Sequence, residues 1–152
     1  MKTFLTTLFF ILVIEGCSQH NAFEKFELDK TRELSEDSIQ TLKIKKANKV
    51  SGIVSIIYLN KVLPEKYNNN EYFYIYYYLK DKNATASFFL NNKAPITYKE
   101  LSQNNEFSKL TSFNAPWSKY FLVSFKREGN ILNFKIRTNK AANATLQFIK
   151  DK

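Results

Sequence analysis

Apolar and polar residues alternate along most of the second half of the chain, and this alternation predicts strands. Ile131 to Thr138 places Leu132, Phe134 and Ile136 on one face and Asn133, Lys135 and Arg137 on the other. Tyr120 to Arg127 repeats the pattern with Phe121, Val123 and Phe125, and Ala144 to Lys150 with Leu146 and Phe148. Glu128-Gly129-Asn130 carries hairpin-turn residues between the first two of these segments. Upstream, Gln40 to Lys46 and Ser51 to Leu59 are rich in β-branched residues and predict a hairpin around Ala47-Asn48. Glu71 to Lys80 is aromatic throughout, and Ala84 to Leu90 follows it after the turn residues Asp81-Lys82-Asn83.

With no long segment of helical period, these runs predict an all-β domain. The expected architecture is a single β-sandwich of about seven strands, immunoglobulin-like or transthyretin-like. One local signal points elsewhere. Thr97-Tyr98-Lys99-Glu100 has the spacing of a capping box and is followed by Leu101, which predicts a short helix near residues 98–103.

The first residues follow a different pattern. Lys2 precedes Phe4 to Ile14, an apolar run of eleven residues. A membrane-spanning helix needs roughly 20, so the run reads as the hydrophobic region of a secretory signal. Ile14-Glu15-Gly16-Cys17 follows. It resembles the lipobox of bacterial lipoproteins, with an aliphatic residue, a small residue and then the Cys, although Glu15 stands where that family usually has a small or aliphatic residue. The resemblance implies that Cys17 carries diacylglycerol on its sulfur and becomes the first residue after cleavage. Ser18 after the Cys then favours the outer membrane of a bacterial envelope. The plainer reading is a secreted protein whose Cys17 merely follows the cleavage site.

The expected organisation is therefore a signal peptide over 1–16, a lipid-anchored polar tether over 17–39 and a folded domain over 40–152. The tether region is mixed in charge, and a short helix is predicted from Thr31 to Gln40. The lone His20 lies three residues from the anchor and reads as a solvated tether residue.

Composition narrows the chemistry. The chain has 152 residues, enough for one domain with a core. One Cys and one His exclude an intrachain disulfide, a Cys/His zinc cluster and a Cys–His dyad, and three Gly leave no glycine-rich phosphate loop. No cofactor is implied. Catalysis would fall to carboxylates such as Glu65, Glu71, Glu100 and Glu128, which carry no motif and, Glu100 excepted, are expected at solvated turns and strand ends. A non-enzymatic protein is expected.

The net charge is +9, and loss of Lys2 and Glu15 with the signal leaves it unchanged. Lys126, Lys135 and Arg137 are expected on one face of the last hairpin, where they could meet anionic lipid headgroups, lipopolysaccharide phosphate or an acidic partner. An exported lipoprotein is not expected to meet nucleic acid. The alternative is a solvated face: 20 of the 23 basic residues are Lys, which lacks the bidentate geometry of Arg.

Two further features stand out. Period-2 geometry puts Tyr72, Tyr74, Tyr76 and Tyr78 on one face of the Glu71–Lys80 strand, as either a binding surface for a glycan or partner protein, or a second packed face. Asn83-Ala84-Thr85, with Asp81 two residues before the Asn, fits both the N-x-S/T pattern and the acidic sequon of some bacterial oligosaccharyltransferases, making Asn83 a candidate glycosylation site. The expected function is a lipid-anchored envelope protein that presents a binding or assembly surface to another envelope component. The alternatives are a glycan- or lipid-binding lipoprotein, or a hydrolase inhibitor; the latter is disfavoured because common-type animal lysozymes are themselves cationic.

Overall fold

The computed structural model describes residues 30–150. The expected signal segment, Cys17 and His20 lie outside the described residues. Among the described residues helix α1 covers 30–38, overlapping the segment where the sequence predicts one, and Thr31–Lys152 forms one compact unit. Arg32 donates to Ser112 Oγ (2.9 Å), and Ser112 donates to Glu36 Oε1 (2.5 Å), so the helix is held against a distant part of the chain.

Eight strands follow: β1 (Gln40–Lys46), β2 (Lys49–Tyr58), β3 (Glu71–Leu79), β4 (Ala86–Leu90), β5 (Thr97–Leu101), β6 (Lys119–Phe125), β7 (Ile131–Thr138) and β8 (Asn143–Ile149). A single helical turn, α2 (Leu59–Val62), follows β2. The all-β expectation holds. The strands form one continuous sheet in the order β4-β7-β8-β1-β2-β3-β6-β5, and not the two separate sheets of a seven-stranded sandwich. Every pairing is antiparallel.

The sheet curls on itself because its apolar face is continuous and must be buried. Phe73 on β3 meets Phe134 on β7 (ring centroids 4.8 Å apart) and Phe148 on β8 (5.4 Å), from the opposite half of the sheet. Phe88 on β4 and Tyr98 on β5 bring the two edge strands together at 5.7 Å. The bend falls where pairing is thinnest: β1 and β8 share the single register pair Lys45↔Asn143. Beside it β1 has an irregularity between Ile44 and Lys45, and Gly52 lies opposite Ile44. A Cβ on Gly52 would sit 2.4 Å from the Tyr78 carbonyl oxygen, so this close strand approach needs glycine.

Two local expectations fail. Thr97 to Leu101 is the edge strand β5 and not a helix near 98–103. Its Thr97 Oγ1 is spent on Ser124 Oγ of β6 (2.6 Å) rather than on capping, and five residues pair with β6. Glu128-Gly129-Asn130 is no hairpin turn either. β6 pairs with β3 and β5 while β7 pairs with β4 and β8, so these residues cross between the two halves of the sheet.

Candidate functional site

The tyrosine stripe lies on the outer face of β3, as its period requires, but most of it is covered. Tyr74 and Tyr76 are buried in a second apolar cluster with Ile57, Leu59, Phe107, Leu110 and Tyr120. The segment between β5 and β6 supplies the lid. Phe107 lies 5.0 Å from the Tyr74 ring, and Phe113 stacks on Tyr76 at 5.0 Å with 14° between planes. Tyr120 pins this segment by donating its hydroxyl to the Ala115 carbonyl (2.9 Å) and accepting the Ala115 N–H (2.7 Å). Burial pushes the Tyr74 hydroxyl up to about 12, against the opposing hydrogen bond from Asn105. Tyr72 is half-buried, with its hydroxyl donating to Asn69 Oδ1 (2.8 Å). The open surface envisaged for Tyr72, Tyr74, Tyr76 and Tyr78 is thus reduced to its last member.

Tyr78 is 41% exposed and joins a different group. Its register partner Ile53 is also exposed, as are Phe113 and, at 66%, Trp117. Two clefts adjoin here. One, of about 370 Å³, is lined by Ile53, Tyr76, Tyr78, Phe113 and Trp117, with Thr41, Ser55 and Ser118 at its polar positions. The other, of about 310 Å³, is lined by Tyr78, Leu79, Ala84 and Trp117 with Asp81, Lys82 and Lys119. Tyr78 and Trp117 line both. Large aromatic surface left in water beside hydrogen-bonding groups is what recognition of an amphipathic ligand requires. Sequence reasoning missed Trp117 because residues 102–118 have no strand or helix period. The one available signal was that it is the chain's only Trp.

The basic trio is not brought together on a hairpin. Lys126 follows the end of β6, whereas Lys135 and Arg137 lie on β7, which does not pair with β6. Arg137 rests over the Phe89 ring, 5.3 Å from its centroid, and Lys135 is half-buried beside Asn91, Asn133 and Thr145. Asn83 is exposed in the turn before β4, where its backbone N–H donates to Asp81 Oδ1 (2.9 Å).

Glu71 is the clearest departure from expectation. It begins β3 yet is only 1% exposed. Its Oε2 accepts the Tyr58 hydroxyl (2.5 Å), and its Oε1 accepts the Glu128 N–H (3.0 Å) and the Lys150 ammonium. Lys150 also donates to the Glu128 carbonyl (2.8 Å). The carboxylate thus ties β2, β3, β8 and the crossing segment into one knot. Burial, then the hydrogen bond to Glu71, raises the Tyr58 hydroxyl far above its ordinary range.

Among the described residues no group of three His, Cys, Asp or Glu side chains could hold a metal ion, and no helix is long and apolar enough to cross a membrane. No protein-family model, no curated protein and no solved structure matches this chain.

Proposed function

We propose that this chain is a lipid-anchored protein of the bacterial envelope that binds another envelope component through the aromatic clefts around Trp117, without catalysing a reaction. The anchor rests on the lipobox resemblance of Ile14 to Cys17. The binding role rests on one observation: Trp117 and Tyr78 stand exposed between two adjoining clefts while Tyr74 and Tyr76 on the same face of β3 are packed away. The polar groups in both clefts favour a glycan as the ligand, since a sugar ring offers an apolar face to an aromatic ring and hydroxyls to its surroundings.

Pull-down from native membranes tests the role. The intact protein should retain a partner or glycan that the Trp117→Ala and Tyr78→Ala variants release while keeping their melting temperature; equal retention by all three would refute it. Trp117 reports on binding directly, because all tryptophan fluorescence of the chain comes from it. Titration with soluble envelope glycan fragments should shift its emission. For the anchor, Cys17→Ser should give an unlipidated protein that is soluble or unprocessed. Normal processing with membrane retention would overturn that part.

A further inference from the structure

The chain's two Asn-x-Thr sequences, Asn83-Ala84-Thr85 and Asn143-Ala144-Thr145, stand in opposite settings. Asn143 begins β8 and is paired on both sides, with Lys45 of β1 and Arg137 of β7. Its backbone is committed to the sheet, and Ala141, not an acid, stands two residues before it. Asn83 lies in the turn between β3 and β4, outside any strand. Asp81, Lys82, Asn83 and Thr85 are all exposed, while Ala84 is buried. Two hydrogen bonds to Asp81 close the turn: the Ala84 N–H donates to its carbonyl (3.0 Å) and the Asn83 N–H to its Oδ1 (2.9 Å). The Thr85 N–H donates to Asn139 Oδ1 (3.0 Å), which ties the end of the turn to the β7–β8 connection. Among the described residues nothing is hydrogen-bonded to the Asn83 side-chain amide or to the Thr85 hydroxyl. The turn is therefore held through its backbone, with both reactive side chains left in solvent.

We propose that Asn83 is a site of N-linked glycosylation, with Thr85 as the hydroxyl residue of the acceptor sequence and Asp81 as the acidic residue two positions before the Asn. Such transfer takes place on exported chains, and so rests on the envelope location proposed above. In the transfer, Asn83 Nδ2 attacks the anomeric carbon of an oligosaccharide carried on a polyprenyl pyrophosphate. A C–N bond forms and the bond from the anomeric carbon to the pyrophosphate oxygen breaks. The lipid pyrophosphate leaves, and one amide proton passes to a base of the transferase, with no oxidation or reduction. An acceptor must enter the transferase as an accessible bend, which a surface turn offers and a strand paired on both sides does not. Asp81, Lys82 and Ala84 also line the smaller of the two Trp117 clefts, so the glycan leaves the chain beside that cleft.

The test is mass spectrometry of tryptic peptides from the full chain, expressed in its native cell and recovered by fractionation. Lys82 and Lys93 bound the peptide that begins at Asn83. In the membrane fraction that peptide should carry the added mass of a glycan and release sugar fragment ions. Asn83→Gln, Thr85→Ala and Asp81→Asn should each lose the added mass. The last keeps an Oδ1 acceptor for the turn and removes only the charge. Thr85→Ser and Asn143→Gln should keep it. All these positions are exposed, so the variants should melt close to the parent chain. A bare peptide from the membrane fraction overturns the glycan alone, as does added mass that survives in Asn83→Gln. Recovery of the chain from the cytoplasm, unmodified, overturns the envelope location and the glycan together.

Discussion

Replacing Glu71 gives the sharpest test of how the sheet is held. Its carboxylate is 1% exposed and accepts three hydrogen bonds from separate parts of the chain. Breaking one side of a buried ion pair costs about 3–5 kcal/mol. The Lys150 side chain keeps 17% exposure and can recover some water, which places Glu71→Gln near the low end, about 3 kcal/mol. For a folded unit of this size that lowers the melting temperature by roughly 10 °C. Lys150→Met alone should cost a similar amount, because it leaves the buried carboxylate without its cation. The double variant should cost clearly less than the sum, with a coupling of at least about 1.5 kcal/mol. Urea unfolding followed by circular dichroism measures all three. If the two losses simply add, the ammonium contributes nothing specific. Glu71 would then serve only as acceptor for Tyr58 and Glu128, and the reasoning fails.

Three other outcomes follow from the structure. Gly52→Ala should destabilise the protein by about 1–3 kcal/mol in the same assay, since its Cβ would meet the backbone of β3 at 2.4 Å. Ala47→Gly should stabilise it by about 0.5–1 kcal/mol, because Ala47 sits at φ 49° in the β1–β2 turn, where an L side chain is strained; unchanged stability would contradict this. Stability should fall as pH rises above the ordinary tyrosine value of 10, because the unfolded chain ionises there while Tyr74, pushed up to about 12, does not. Tyrosinate absorbance in the folded protein should therefore lag behind that of the urea-unfolded chain, and coincident titrations would argue against the buried cluster.

Much of the sheet was legible because burial on one face imprints a period of two. Leu132, Phe134 and Ile136, and likewise Leu146 and Phe148, are buried as the alternation predicts. The β1–β2 hairpin also falls at Ala47-Asn48. What could not be read depends on partners distant in sequence. β5 is largely exposed, so it has no alternation to display, and its local capping-box spacing loses to pairing with β6. Tyr74 and Tyr76 are buried only because the aperiodic segment carrying Phe107 and Phe113 folds over them. Nothing adjacent to Glu71 in sequence announces Tyr58, Glu128 and Lys150. For the candidate site, Tyr78 was legible from the strand period, whereas Trp117 required the fold.

The thin junction between β1 and β8 has a kinetic consequence. It joins the first and last strands of the sheet in chain order through one register pair, and β4 has no strand to pair with until β7 is present. Hairpins β1–β2 and β7–β8 can form from local contacts, but joining them must wait for the last residues. Closing such long loops before any reward slows folding. A chain made from its N-terminus would complete its sheet only after its C-terminal end arrives. Until then the inner aromatic face around Phe73 and Phe134 stays open, and in that interval the chain would rely on other proteins to keep it from aggregating.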